Sequence, residues 1–186
     1  MKQYLFFALN LLLALEGTSQ AKGDYMWQIG QNSHPQENPY ALSMVLDFNV
    51  LGINLDTFYR GMKMGYFNAS ISDVDGKLLV YSNGCQIKNG DHSNIPETMS
   101  LSPGETDFEW CLSNPSSGYP KFEGGLFISF FSDSIILLLH QRDYVLSNPT
   151  RIITDSLFYS SVQRDGDQYV LHEKTVPIVG DNLTDG

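Results

Sequence analysis

The chain has 186 residues, of which 42% are hydrophobic, 12% aromatic and only 17% charged, a composition that can bury a core and excludes a disordered tail. Eleven basic residues against 21 acidic ones give a net charge of −10, which argues against a nucleic-acid partner because such binders need clustered Lys and Arg. The length predicts one domain, and no residue pattern in it names a reaction.

Residues 1–21 differ in kind from the rest. Lys2 supplies a positive start, Tyr4 to Leu15 is apolar apart from Asn10, and Ser19-Gln20-Ala21 puts small residues at a cleavage position. This pattern predicts a secretory signal peptide over 1–21. Its apolar stretch is shorter than the roughly 20 residues of a membrane-spanning helix, and no later segment reaches that length without charges. The expected product, residues 22–186, is therefore secreted, periplasmic or displayed at the cell surface, and does not span a membrane. Export leaves two readings open for Cys85 and Cys111: a disulfide, which an oxidising compartment allows, or two separate thiols.

Along the remaining chain, short β-rich runs alternate with Gly, Asn, Asp and Pro, and sustained helical periodicity is missing. The fold class is all-β. Residues 24–42 read as irregular, and Ser43 to Phe48 is the first strand candidate. Leu55 to Met64 reads as a short helical turn or a loop. Phe67 to Ser72 and Lys77 to Ser82 flank Asp75-Gly76, the strongest hairpin signal in the chain because such a turn needs positive φ. A second hairpin is expected from Leu126 to Phe131 and Ser134 to His140 through Ser132-Asp133. Its arm Ile135 to Leu139 has no polar alternation and reads as a strand buried on both faces. Ser156 to Gln163 and Gln168 to Glu173 form a third hairpin about Arg164 to Asp167, and Val176 to Val179 a further short strand.

Asn68-Ala69-Ser70-Ile71-Ser72-Asp73, continued by Gly76-Lys77-Leu78-Leu79-Val80-Tyr81-Ser82-Asn83-Gly84, resembles the blade motif of large secreted bacterial β-propeller surface proteins, which are WD-repeat-like and often carry a type IX secretion sorting domain. Met99, Asn114-Pro115, Leu138-Leu139-His140, Leu157 to Val162 and Val179 to Gly186 resemble later parts of the same pattern, in the same order. The resemblance covers about Asp47 to Gly186. It implies antiparallel blades of about 40 to 45 residues, hence three to four here: an incomplete propeller that needs further blades or a partner chain. In the motif, Asn68, Asp73, Gly76, Asn83 and Gly84 have structural roles, Gly76 in the turn and Asn83-Gly84 where the strand ends.

Chemistry-bearing patterns are few. Asp73-Val74-Asp75-Gly76 resembles the opening of a calcium loop but lacks its later ligands and distal Glu, so a hairpin turn is the better reading. His34, His92, His140 and His172 form no i, i+4 pair, and no metal or cofactor is expected. Asp107, Glu109, Asp133 and Asp155 are the carboxylates from which a glycosidase would need two facing one cleft. The aromatic residues Tyr25, Trp27, Tyr40, Phe58, Tyr59 and Tyr66 either pack against a sheet edge or offer a contact surface. Two functions follow: a non-catalytic scaffold or recognition module for a protein or glycan partner, which is preferred, and a secreted glycan hydrolase with a carboxylate pair.

Overall fold

The structure is a computed structural model and describes residues 25–30, 43–49, 51–58, 61–113, 118–120, 125–147 and 150–179. The segment 1–21 lies outside them. The described chain is all-β, arranged as three antiparallel sheets, each built from strands consecutive in sequence. The first sheet holds β1 (Met26–Gly30), β2 (Ser43–Asp47) and β3 (Asn54–Phe58). In the middle sheet are β4 (Ala69–Ser72), β5 (Leu78–Ser82) and β6 (Ile87–Asn89). The last sheet comprises β7 (Gly125–Phe130), β8 (Ile135–Ser147), β9 (Thr150–Asp165) and β10 (Gln168–Val179), in the order β10-β9-β8-β7. A helical turn α1 (Glu105–Asp107), continued by one π turn over Phe108–Leu112, lies between the middle and last sheets in sequence and packs on β8.

Several expectations are corrected. Met26–Gly30 is a strand within the segment read as irregular, and Asn54–Phe58 is a strand where a helical turn or loop was expected. Both are five residues long and owe their state to pairing with β2, Trp27 opposite Leu46 and Leu46 opposite Leu55. Such short segments carry little period of their own, so the partner decides. Val176–Val179 is the end of β10 and not a separate strand, joined to it through bulges between Leu171 and Glu173 and between Glu173 and Val176.

The strand buried on both faces is β5, with all five residues buried, and not Ile135 to Leu139. In β8, Ile136, Leu138 and His140 are buried while Ile135, Leu137 and Leu139 are half-buried. The reason is position in the stack. The middle sheet has a neighbour on each side: Leu78 and Tyr81 pack with Met62, Met64 and Met26 toward the first sheet, whereas Ile71, Leu79, Phe127, Leu138 and Val162 join one core with the last sheet. The last sheet has a described neighbour on one face only.

Its other face shows in the register. Leu126 pairs with Leu139, which pairs with Tyr159, which pairs with Val176; Phe130, Ile135, Gln163 and Val170 form a parallel row. Side chains in such rows share a face because the strand period is two, and none of these is fully buried. The first sheet likewise turns Gln28 and Val45 inward and leaves Trp27, Leu46 and Leu55 on its far side.

Candidate functional site

The first strand of each sheet faces the first strand of the next. β1 lies against β4, and β4 against β7. Ser70 Oγ in β4 donates to the Met26 carbonyl in β1 at 2.8 Å, and the Met64 amide just before β4 donates to the Gly30 carbonyl at 2.9 Å. On the other side the Phe67 ring is wedged where β7 begins: a Cβ on Gly125 would sit 2.2 Å from Phe67 Cζ, so only glycine allows this approach.

Where these three inner strands converge is a cleft of about 290 Å³ lined by Trp27, Asn68, Ala69, Ser70, Gly125, Leu126 and Phe127. Trp27 is 49% exposed and Leu126 60%. The Trp27 ring meets Phe48 edge to face at 5.4 Å between centroids, a contact that holds the indole in place while leaving surface free. Asn68, also exposed, adds an amide able to donate and accept. An aromatic plane beside an amide and an aliphatic side chain can receive an extended apolar or sugar-like ligand; the hydroxyl of Ser70 in the lining is engaged with the Met26 carbonyl.

The motif residues other than Asn68 serve the turns. Asp73 Oδ1 accepts from the amides of Asp75 at 3.0 Å and Lys77 at 2.9 Å, closing the β4–β5 turn. Gly76 sits at φ +86°, and Asn49, which follows β2, donates to the Gly76 carbonyl at 2.8 Å. The turn is thereby docked on the first sheet. Asn83 Oδ1 accepts from the amides of Cys85 at 3.1 Å and Gln86 at 3.2 Å, and Gly84 lies against Tyr119 and Phe67. Cys85 and Cys111 are disulfide-bonded, tying this turn to the π turn 26 residues on.

The four named carboxylates are dispersed. Asp107 is buried and takes a hydrogen bond from Ser100, and burial raises its pKa. Glu109 is exposed on the π turn, and Asp133 lies in the β7–β8 turn with φ +63°. Asp155 is gripped by Arg142 at 2.9 and 3.0 Å, and these hydrogen bonds lower its pKa. A different set, Asp73, Asp91 and Asp167, lines a second cleft of about 370 Å³ together with Lys77 and Arg164. There, hydrogen bonds from Ser93 and Gln168 pull Asp91 down to about 2. That is the reverse of what a general acid for glycoside cleavage needs.

His140 is 1% exposed. Its Nδ1 lies 3.2 Å from Ser102 Oγ and its Nε2 2.9 Å from Ser160 Oγ, and the ring stacks on Phe158. Burial drives its pKa down to about 4. A neutral imidazole between two hydroxyls in the core is a structural group. His92 meets Tyr81 Oη at 2.9 Å, and His172 is exposed. Among the described residues no group of three or more His, Cys, Asp or Glu is placed to hold a metal ion.

Of the aromatic residues singled out from the sequence, Trp27 and Tyr66 are exposed and Tyr25 is half-buried, while Tyr40, Tyr59 and the Phe58 side chain lie outside what is described. Phe108 and Trp110 on the π turn are exposed as well, and no sequence pattern marked them. No helix among the described residues is long and apolar enough to cross a membrane. The chain matches no family model, no curated protein and no solved structure.

Proposed function

We infer that this protein is a secreted, non-catalytic recognition module of β-propeller type, which takes a protein or glycan partner at the cleft between β1, β4 and β7. One observation carries the reading. Three consecutive meanders present their first strands to one another, so their inner edges converge on an opening, as the blades of a propeller do about its axis. Ligand sites gather where rigid elements converge, and the exposed Trp27 stands at that point. The signal-peptide pattern over 1–21 and the resemblance of Asn68 to Gly84 to a blade motif support export and the propeller form.

The test is a titration of the exported protein with soluble oligosaccharides, following indole fluorescence in a Trp110→Phe variant so that Trp27 is the sole reporter. Saturable quenching that Trp27→Ala abolishes, with unchanged circular dichroism, is the expected result. N-terminal sequencing of the exported chain should begin at Lys22. Retention of the intact N-terminus inside the cell, or ligand binding indifferent to Trp27, would overturn the corresponding part of the reading.

A further inference from the structure

The cleft between β1, β4 and β7 limits what can occupy it. All three are edge strands of their sheets, and an extended peptide that binds by adding a strand needs the open N–H and C=O groups of such an edge. At β1 two of those carbonyls are already used: that of Met26 accepts from Ser70 Oγ at 2.8 Å, and that of Gly30 from the Met64 amide at 2.9 Å. At β7 the Phe67 ring fills the approach to Gly125. What the cleft offers a ligand is therefore side chains: the half-exposed Trp27 indole, the Asn68 amide and the exposed Leu126.

Charge narrows the choice further. Among the described residues that line the cleft none is acidic or basic, so an ionic ligand finds no counter-charge there, and the net −10 of the chain opposes an anionic one. A neutral sugar ring matches what remains. Its C–H bonds carry the partial positive charge that the negative face of an indole attracts, and a side-chain amide, with two donors and an acceptor, serves a pair of neighbouring hydroxyls. The volume of about 290 Å³ stands at the lower end of the roughly 300 to 1,000 Å³ of small-molecule sites, which suits a short stretch of glycan. We propose that the cleft binds a short run of neutral hexopyranose units, with Trp27 as the stacking platform and Asn68 as the residue that reads the hydroxyls. This rests on the reading of the cleft as a recognition site, and it chooses glycan over protein.

The exported full chain is titrated by isothermal calorimetry with three kinds of probe: neutral tetrasaccharides of glucose, mannose, galactose and N-acetylglucosamine; tetragalacturonate; and a capped, uncharged hexapeptide of alternating Leu and Thr. At least one neutral tetrasaccharide binds, with an affinity that salt leaves unchanged because no ion pair forms. Trp27→Ala and Leu126→Ala each weaken it by about tenfold or more, and Trp27→Phe, which keeps a ring, by less. Asn68→Asp keeps the shape but loses the donors, and weakens it by about tenfold. Circular dichroism melts show which variants fold, and Leu126→Ala, at an exposed position, carries the test should Trp27→Ala misfold. Tighter binding of tetragalacturonate than of every neutral sugar, or Trp27-dependent binding of the hexapeptide alone, overturns the sugar assignment and leaves the cleft as a recognition site. Sugar binding that neither Trp27→Ala nor Leu126→Ala alters removes the cleft itself. Binding by none of the probes overturns the proposal as well, and leaves only a folded protein partner for the cleft.

Discussion

The first and middle sheets have the same topology and nearly the same size, three short antiparallel strands each, yet they differ sharply in burial. Every residue of the central strand β5 is buried, whereas in β2, the central strand of the first sheet, Met44, Leu46 and Asp47 are only half-buried. The strands themselves do not explain this, since β2 (Ser43–Asp47) is as apolar as many central strands. Position does: among the described residues the middle sheet has a packed neighbour on each face, the first sheet on one. A strand's burial in such a stack is a property of its neighbours, and stability should be concentrated in the middle.

The largest test of that contrast is Leu79→Ala in β5, which empties part of the core shared with the last sheet and should cost about 3 kcal/mol. Thr57→Ala in β3 should cost no more than about 0.5 kcal/mol, as exposed substitutions do. Urea unfolding of both variants measures the pair. Equal losses would mean that the two sheets are covered alike.

The first sheet buries Gln28 and Ser43, but the last sheet buries an ionisable ring, His140. With its pKa at about 4 in the folded chain and about 6.5 unfolded, the unfolded state binds more protons between these values. Stability is therefore full above about pH 6.5 and falls as pH drops toward 4, by about 3 kcal/mol in all. Asp107 acts the other way, because its raised pKa makes the folded state the better proton acceptor just above the ordinary carboxylate range. Denaturant melts of the wild type and of His140→Gln between pH 7 and 4 separate them: the variant, whatever its absolute stability, should lose most of the slope between pH 6.5 and 4.5. A slope retained in full would show that another group titrates there.

The β4–β5 hairpin was legible because Asp75-Gly76 imposes its turn locally, and Arg164 to Asp167 did the same for β9–β10. β1 and β3 were not, because Met-Trp-Gln-Ile-Gly and Asn-Leu-Asp-Thr-Phe become strands by pairing with β2. The double burial assigned to Ile135 to Leu139 belongs to β5, since an apolar run records what a strand could bury and not how many sheets lie beside it. The cleft was least legible. Trp27, Asn68 and Leu126 come from three sheets and meet only through the contacts of β1 and β7 with β4; their common signal, each at or beside the first strand of a meander, appears only once the meanders are delimited.

The smallest effect concerns the join between the two sheets compared above. Asn49 holds three hydrogen bonds at once: its amide and its Nδ2 both donate to Asp47 Oδ1 at 2.8 Å, and Nδ2 also reaches the Gly76 carbonyl at 2.8 Å. A Cβ on Gly76 would fall 1.7 Å from Asn49 Oδ1, on a backbone already at φ +86°. Gly76→Ala therefore carries a conformational cost of about 1 kcal/mol and forces Asn49 aside, for a total of about 2 kcal/mol. Asn49→Ala alone should cost about 1 kcal/mol. Once Asn49 is truncated the added methyl loses its three nearest obstacles, so the double variant should lose about 2 kcal/mol instead of the roughly 3 that independent sites would give. Strict additivity would mean that the turn of the middle sheet does not lean on the first, and that the two sheets are held together by the methionine cluster and the Ser70–Met26 and Met64–Gly30 hydrogen bonds.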